Sequence, residues 1–489
     1  MDLALHLPDT GRTQFLTVFP AIMLPMFLAV VDQTIVATAL PSIGQELGSI
    51  ERLSWIMVTY LVALTISAPV FGLLGDSFGR RRLLLVALGL VAVFSLLCAL
   101  APSVEMLAVG RFGQGLGGGG LMTLSHALIG ETVPPRQRGH FQSYTASVAV
   151  TASTLGPVLG GVLAESFGWP SVFLVNLPIV AIAAVLVSRL PAHHATAENF
   201  RFDYAGVVLF ALTVSCALIA LEQLQNLASL SPVRLGGFIV ATAVLLPLLI
   251  WRERRASVPL LPLSLLGAPA IWRSDALAFL HGACIVSLIT FIPIYLCVVH
   301  GMTVARTGLV MLPMTACIGL GSIMTGRLVS RTGRTAIFPS VGLTLAALCL
   351  LTFGSLSPTL STLAASMMLG VASLFMGSVM GVVQITVQWA AGAHHLGRAS
   401  ASVQLSRSLG AAFGTALVGT VIFMIINLAG SEATGMLGEL LGRDPQALAA
   451  VTPALRGDIA EAFRAGFLLI STFAATASVL AWTLPLRRL

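Results

Sequence analysis

Long apolar runs separated by short polar breaks extend along nearly the whole of this 489-residue chain. Runs of about twenty apolar residues, the length of helix that crosses roughly 30 Å of hydrocarbon, recur from Phe15 to Leu484. This pattern predicts an all-α integral membrane protein with fourteen transmembrane helices, one for each apolar run. The predicted spans are 16–38, 53–74, 83–102, 106–127, 142–163, 171–189, 204–223, 235–251, 272–298, 304–326, 336–356, 361–388, 402–427 and 464–484.

Composition and charge agree with a protein of the bilayer. Hydrophobic residues make up 57% of the chain and charged residues 9%, and the mean hydropathy is +0.96, far outside the balance of a soluble domain. The chain contains no lysine, and its arginines concentrate in alternate polar breaks, which the positive-inside rule places in the cytoplasm. We therefore predict a multi-pass protein of the cytoplasmic (inner) membrane with both termini cytoplasmic. The same distribution accounts for the net charge of +7 without a nucleic-acid partner.

One short motif occurs twice. The segments GLLGDSFGRR (72–81) and GRLVSRTGRT (326–335) place Gly, Leu, Gly and Arg at the same offsets, 326 − 72 = 254 residues apart. Two duplicated six-helix halves need less than this separation, so an insertion of roughly fifty residues lies between them. We predict an N-terminal six-helix bundle at 1–190, an inserted helix pair with linkers at 191–260, and a C-terminal six-helix bundle at 261–489. The last part contains an external loop at about 428–463 that is expected to form short helices.

Five motifs resemble one family. GLLGDSFGRRR (72–82) resembles the cytoplasmic signature of the major facilitator superfamily, RFGQGLGGGG (111–120) its fourth-helix motif, and LGPVLGG (155–161) the fifth-helix motif of its exporters. VVDQTIVATALP (30–41) and SRSLGAAFGTALVGT (406–420) resemble its fourteen-helix drug:proton antiporter branch. The resemblance covers nearly the whole chain. It implies the major facilitator fold, in which two pseudo-symmetric six-helix bundles are accompanied here by two inserted central helices.

Asp32 and Arg111 are ionisable residues inside predicted spans. Asp32 lies about sixteen residues into its span, roughly 24 Å from the cytoplasmic edge, and Arg111 lies at a comparable depth. Such residues are costly in a bilayer, usually paired and usually functional. The resemblance implies that both helices line one cavity, so we predict that the two residues form a proton-coupling site. The alternative is a static pair that only fixes helix packing.

Asp76 lies at a cytoplasmic helix end among arginines. A carboxylate there can stabilise the N-terminus of a neighbouring helix, and the resemblance implies that this neighbour is the span at 402–427. We predict that this contact forms a gate when the inner side is closed. The residues assigned to the gate are Gly72, Asp76, Gly79, Arg80, Arg81, Gly326, Gly333, Arg334 and Arg407. In the second copy of the motif, Ser330 stands where the first copy has Asp76.

Small and polar residues inside other spans complete the candidate site. The exporter-type helix motif consists of Gly156, Pro157, Gly160 and Gly161, which favour close packing and a bend. Gln114, His281 and Gln384 are polar interruptions of apolar spans and are candidates for lining a cavity. For His281 a packing role with satisfied hydrogen bonds is the alternative.

These patterns predict proton-coupled efflux of hydrophobic or amphiphilic compounds such as drugs and toxic cations. The expected partners are a small hydrophobic substrate, protons as coupling ion and the lipid bilayer; nothing in the sequence decides whether a periplasmic adaptor is used. The alternative inside this class is a proton-coupled exporter of one endogenous metabolite, a siderophore or a fatty acid. A sensor without transport is a further alternative. No clustered nucleophile, metal set or carboxylate pair predicts an enzyme, and no cofactor or metal is expected.

Overall fold

The computed structural model describes residues 9–47, 53–191, 202–225, 231–261, 263–302, 304–429 and 453–488. Every regular element in these ranges is a helix. The helices are α1 (Asp9–Leu47), α2 (Leu53–Phe78), α3 (Arg80–Ala99), α4 (Val104–Thr132), α5 (Pro135–Phe167), α6 (Ser171–Leu174), α7 (Asn176–Ser188), α8 (Tyr204–Gln225), α9 (Pro232–Arg255), α10 (Leu263–Leu266), α11 (Pro269–Val298), α12 (Val304–Thr332), α13 (Ile337–Leu356), α14 (Thr362–Met376), α15 (Val379–Ala391), a short 3₁₀ helix (Ala393–His395), α16 (Leu396–Ala429) and α17 (Pro453–Trp482).

The helices reproduce the predicted spans. Thirteen spans in the described residues are long and apolar enough to cross a membrane, and each coincides with a predicted one. The remaining prediction, 106–127, coincides with α4, whose 29 residues extend about 43 Å at 1.5 Å per residue. Glycines and polar residues lower the mean hydropathy of α4, but its length still suffices. The predicted all-α membrane architecture is confirmed.

Prolines lie inside several of these helices without ending them. Examples are Pro69 in α2, Pro247 in α9 and Pro313 in α12. In a hydrocarbon environment an unwound segment would leave several backbone groups without hydrogen bonds, whereas a proline removes only one. The helix therefore continues through the proline, even in the short span predicted at 235–251.

Contacts divide the chain into two compact units. The first consists of Met1–Ser215, Leu245–Ile271 and Val387–Leu405, and the second of Cys216–Val244, Trp272–Thr386 and Ser406–Leu489. In the first unit α1 packs against α4, α5 and α7, while α4 packs against α2 and α3. In the second unit α13 packs against α14 and α17, and α12 packs against α14. The domain limits expected at 190 and 260 stay a prediction.

Glycines on α4 allow the close packing that positions Arg111. A Cβ atom at Gly115 would lie 2.4 Å from the carbonyl oxygen of Tyr60, and one at Gly119 would lie 2.3 Å from that of Leu64. These carbonyls belong to the backbone of α2 and cannot move aside independently. The i, i+4 spacing of the two glycines therefore gives α4 a face on which α2 rests at backbone contact. Arg111 lies one turn before the first of these contacts.

The expected external loop is shorter than predicted. Residues 430–452 lie outside the described residues, and residues 453–463 form the first turns of α17. The helix starts early because its first turns bury Ile459 and Phe463 against the second unit's core, with Phe463 5.7 Å from Tyr295 between ring centroids. The span predicted at 464–484 is therefore extended toward its N-terminus by about three turns.

Candidate functional site

Asp32 of α1 and Arg111 of α4 form a buried ion pair. The Arg111 Nη1 atom donates to Asp32 Oδ2 over 3.0 Å, and Nη2 donates to the main-chain oxygen of Asp32 over 3.3 Å. Asp32 is 1% exposed and Arg111 is 0% exposed. Two contacts from one guanidinium fix both the carboxylate and the backbone of α1, so the pair joins the two helices at one point.

Three neutral side chains complete the surroundings of the carboxylate. Gln114 Nε2 donates to Asp32 Oδ1 over 3.3 Å and to Ser95 Oγ over 2.7 Å. Asn176 Nδ2, at the start of α7, donates to the same Asp32 oxygen over 2.6 Å and to Ser95 Oγ over 3.1 Å. Gln114 Oε1 in turn accepts from Arg111 Nη1 over 2.8 Å. Four helices, α1, α3, α4 and α7, thus meet in one network, which we call the Asp32 network.

The guanidinium of Arg111 is covered on one side by an aromatic ring. Its Cζ atom lies 4.0 Å from the centroid of Tyr60, a distance at which a cation is attracted to the ring face. The Tyr60 hydroxyl donates to Ala29 O over 3.1 Å, and Cys98 Sγ approaches Gln114 Oε1 at 3.3 Å. These contacts exclude solvent from the pair. A charge held this deeply is stable only while its partners stay in place.

Sequence reasoning identified Asp32, Arg111 and Gln114 but missed Asn176, Ser95 and Tyr60. Each missed residue is a single polar or aromatic side chain in an apolar span, and on its own such a residue is more often a packing residue. Asn176 gave one usable signal, because an amide inside an apolar span requires hydrogen-bond partners. The structure supplies those partners within the Asp32 network.

Asp76 contacts the N-terminus of α16. Its Oδ1 accepts from the backbone N–H of Gly397 over 2.8 Å, and its Oδ2 accepts from that of Arg398 over 3.1 Å. A Cβ atom at Gly72 would lie 2.7 Å from the Gly397 carbonyl oxygen, so the helices cross at backbone contact. The carboxylate therefore satisfies two free N–H groups at the positive end of the helix dipole. All these residues belong to the first unit.

Two arginines tie the same motif to neighbouring helix ends. Arg80 Nη2 donates to Asp76 Oδ1 over 2.7 Å, and its Nη1 donates to Glu131 of α4. Arg81 Nη2 donates to the main-chain oxygen of Ser188 at the end of α7. Sequence reasoning did not single out Glu131, because one carboxylate at a helix end is usually a solvated surface residue. Here it shares Arg80 with Asp76.

The second copy of the motif shares one backbone feature with the first. Gly79 has φ 94° and Gly333 has φ 65°, so both adopt a left-handed conformation that side chains disfavour. Gly326 lies within α12, as Gly72 lies within α2. Ser330, at the position equivalent to Asp76, is a neutral hydroxyl. The second copy therefore repeats the turn but not the carboxylate.

The loop of the second copy is held by main-chain contacts instead. Arg334 forms an isolated antiparallel bridge with Arg488. The backbone N–H of Thr335 donates to Arg487 O over 3.1 Å, and its hydroxyl donates to Leu486 O over 2.7 Å. The segment after α17 thus lies along the α12–α13 connection within the second unit.

The exporter-type motif of α5 faces α1. A Cβ atom at Gly156 would lie 2.0 Å from the nearest side-chain oxygen of α1, and one at Gly160 would lie 2.2 Å from the carbonyl oxygen of Ile35. A Cβ atom at Gly161 would meet nothing within 4 Å. Pro157 lies inside the helix between the first two glycines. The packing surface is therefore the Gly156–Gly160 face, one turn from Asp32 along α1.

The remaining predicted residues lie in the second unit and are described within it. His281 Nε2 lies 3.2 Å from the carbonyl oxygen of Met376, and the side chain is 7% exposed. Gln384 is buried, and the carbonyl oxygen of Arg407 would lie 2.3 Å from a Cβ at Gly282. Their roles as cavity lining and gate stay predictions. No group of three or more His, Cys, Asp or Glu residues in the described ranges could hold a metal ion.

Comparison with known proteins identifies the family. Residues 22–415 match the profile described as Major Facilitator Superfamily. An uncharacterized MFS-type transporter of Mycobacterium tuberculosis is 34% identical over 405 residues, which are 83% of this chain and 59% of that protein. The multidrug transporter protein MdtP of Bacillus subtilis is 30% identical over 427 residues, 85% of this chain and 76% of that protein.

A solved structure agrees on the fold. The human organic anion transporter MFSD10 (TETRAN) has a TM-score of 0.66 and 15% identity, covering 97% of this chain and 100% of that one. The chain spans about 59% of the length of the mycobacterial relative that it matches. Since the family profile covers most of the chain and the helices follow the same fold, the chain belongs to the Major Facilitator Superfamily of membrane transporters.

Proposed function

We propose that this chain is a proton-coupled exporter of hydrophobic or amphiphilic compounds in the cytoplasmic membrane, with both termini cytoplasmic. The observation that carries the proposal is the buried Asp32 network. A carboxylate inside the bilayer that is held by one arginine and by neutral amides can exist in two protonation states, whereas a carboxylate on the surface would exchange protons without consequence.

Asp32 would couple proton entry to cargo release. The carboxylate is held by Arg111 and the two amides, so its protonation would depend on whether these partners stay in place. A proton that arrives from outside neutralises Asp32 and weakens its attraction to Arg111. The helices α1 and α4 are then free to separate, cargo leaves outward, and the proton later leaves toward the cytoplasm.

Asp76 would control access from the cytoplasm. Its two hydrogen bonds to the N-terminus of α16 satisfy the carboxylate only while α2 and α16 remain in contact. Separation of the helices would leave the α16 N–H groups without this partner, while the Asp76–Arg80 pair would remain on the α2 side. The contact therefore stabilises a closed inner side, and cargo or proton binding must offset it before the inner side opens.

Hydrophobic cargo of variable shape fits the surroundings. The relative MdtP is a multidrug transporter by name. The helix pair α14 and α15 contains no Asp or Glu, so no acidic group there would pair with a second positive charge. Neutral or monocationic amphiphiles are therefore expected ahead of dications. An exporter of a single metabolite is the alternative, and cargo breadth separates the two.

The test is efflux of ethidium from vesicles that carry the purified protein under an imposed pH gradient. Gradient-driven efflux that a protonophore abolishes, and that Asp32→Asn loses while still inserting and folding, would support the proposal. The matched control is Asp203→Asn, which removes an ion-paired carboxylate outside the network and should keep efflux. Transport of no lipophilic cation would favour a single metabolite, and full gradient-driven efflux by Asp32→Asn would make Asp32 a packing residue.

A further inference from the structure

Asn176 carries an unused hydrogen-bond acceptor beside the Asp32 carboxylate. Its Nδ2 atom makes both of its hydrogen bonds inside the network, to Asp32 Oδ1 over 2.6 Å and to Ser95 Oγ over 3.1 Å. Its Oδ1 atom is buried and accepts no hydrogen bond from the described residues. The residue is 0% exposed. A buried amide oxygen without a donor is costly and calls for an explanation.

The two protonation states of Asp32 require different neighbours. The carboxylate only accepts hydrogen bonds, and here it receives donors from Arg111, Gln114 and Asn176. The neutral acid carries an O–H group that must donate to an acceptor. A guanidinium has no acceptor atom, so Arg111 cannot take this bond.

Only one of the two amides is free to change its role. Gln114 Oε1 already accepts from Arg111 Nη1 over 2.8 Å, and turning the Gln114 amide would break that bond to a charged group. Rotation of the Asn176 amide breaks no bond to its Oδ1 atom. In the structure the Ser95 hydroxyl oxygen accepts from two amides. After rotation, Asn176 Oδ1 would face the protonated acid and could also accept from the Ser95 hydroxyl.

We propose that Asn176 is an amide switch that donates to Asp32 when the carboxylate is ionised and accepts from it when the acid is protonated. The inference rests on the proposed function, because it assumes that Asp32 takes up the transported proton. The proton comes from water and binds one carboxylate oxygen; no other covalent bond changes. Asn176 is therefore a positioning residue that keeps Asp32 hydrogen-bonded both as the carboxylate and as the neutral acid.

Other titratable groups also surround the carboxylate. Those that face it are Arg111 on α4, Tyr60 on α2 and Cys98 on α3. The Tyr60 hydroxyl donates to Ala29 O and also lies close to Asp32, and the Cys98 thiol lies against an amide oxygen. In the described parts of α1, α5 and α7, no further titratable group makes a hydrogen bond to Asp32. Among the amides bonded to the carboxylate, Asn176 is the one whose oxygen has no donor in the described residues.

The first test measures how cargo-induced proton release and ethidium efflux depend on pH in vesicles. Asn176→Leu removes donor and acceptor at similar volume. The bond that Asn176 donates to the carboxylate is charge-assisted and therefore stronger than the bond that it accepts from the neutral acid. Losing both bonds should destabilise the carboxylate more, so the half-maximal pH should move upward by about one unit. Asn176→Thr, whose hydroxyl can donate or accept, should restore much of the wild-type profile. Gln142→Leu, which removes a buried amide bonded to His126 outside the network, should leave the midpoint unchanged.

The second test detects the rotation itself in the wild-type protein. The sequence contains only four asparagines, Asn176, Asn199, Asn226 and Asn427, so ¹³C-labelled asparagine gives a simple infrared spectrum. The Asn176 band is the labelled amide carbonyl band that is absent in Asn176→Leu. On acidification this band should shift as the carbonyl band of the protonated Asp32 side chain, the Asp32 acid band, appears. The shift should vanish in Asp32→Ala.

Two outcomes overturn the switch. They are an Asp32 acid band that appears without any change of the labelled amide band, and a folded Asn176→Leu variant with the wild-type pH midpoint. The failure of the proposed function is a different result, namely the absence of any acid band or efflux that depends on Asp32. If Asn176→Leu does not fold, the wild-type spectrum still decides the question.

Discussion

Gly160→Ala should weaken the contact between α5 and α1, whereas Gly161→Ala, one residue further, should not. A Cβ atom at position 160 would lie 2.2 Å from the Ile35 carbonyl oxygen, whereas ordinary contact begins near 3.4 Å. The helices must therefore separate by about 3.4 − 2.2 = 1.2 Å, because the atom in the way belongs to the backbone. At position 161 the added methyl group meets nothing within 4 Å.

The expected magnitudes follow from two opposing effects. Overpacking of this kind costs about 1–3 kcal/mol, while alanine favours a helix over glycine by about 1 kcal/mol. Gly161→Ala gains only the second effect, so its free energy of unfolding should stay level or rise slightly. The two variants should differ by about 1–3 kcal/mol, the overpacking cost alone. Ile35 lies about one turn from Asp32, so Gly160→Ala should also slow proton-coupled efflux.

Unfolding titrations in mixed micelles with increasing SDS fraction would measure the stability of both variants. Efflux from vesicles under a fixed pH gradient would measure their activity. Equal stabilities and equal efflux rates for the two variants would refute the assignment of the Gly156–Gly160 face to α1 contact. A loss of activity in Gly161→Ala alone would place the functional face of α5 on its opposite side.

Two further predictions concern carboxylates outside the Asp32 network. Asp76→Asn should reduce gradient-driven efflux several-fold without loss of expression, because a neutral amide stabilises the N–H groups of Gly397 and Arg398 less well; initial rates in vesicles measure this. Hydrogen bonds from Arg252 and the Gly206 N–H hold the pKa of Asp203 below its ordinary range. A lowered folded-state pKa contributes stability at neutral pH that is lost as pH falls through that pKa, so the apparent Tm should drop below about pH 4, and less in Asp203→Asn.

Matched variants test both expectations. Ser77→Ala removes a hydroxyl that bonds only within its own helix, to Leu73 O over 3.0 Å, and should keep normal efflux. Asp458→Asn removes an exposed carboxylate and should leave the acid dependence of the apparent Tm as in the wild type. The gate assignment fails if Asp76→Asn transports at the wild-type rate. The ion-pair argument fails if Asp203→Asn and the wild type lose stability identically in acid.

The sequence was sufficient for the helices and for one pair of residues. Hydropathy located the spans because a helix that faces lipid must be apolar along its length, and α4, which is mostly buried, still carried enough apolar residues to be placed. Comparable depth in the bilayer, together with the helix arrangement that the family resemblance implies, was enough to pair Asp32 with Arg111, although 79 residues separate them. Depth is set by the rise of a helix, so it can be read without knowledge of how the helices are arranged.

The neutral members of the site could not be predicted in the same way. Asn176 and Ser95 meet Asp32 and Gln114 only because α7 and α3 come together at one level, and a neutral side chain gives no indication in the sequence of which partner it has. Glu131 was missed because its pairing with Arg80 depends on where α4 ends relative to the start of α3. Helix starts were also displaced: α16 begins at Leu396, before the span predicted at 402, because Asp76 binds its first N–H groups.

The chain segment after α17 has a consequence for how this protein can vary. Its contacts with the α12–α13 connection use the carbonyl oxygens of Leu486 and Arg487, which every amino acid possesses. Both bonds would therefore survive a change of side chain at these two positions, although the buried Leu486 needs an apolar replacement, whereas a deletion or insertion before them would shift the register of both bonds. At Asp76 the opposite holds, because there the bond depends on one side chain. The contacts of the second copy should accordingly tolerate substitution but neither insertion nor deletion, whereas the contact of the first copy should not tolerate substitution of Asp76.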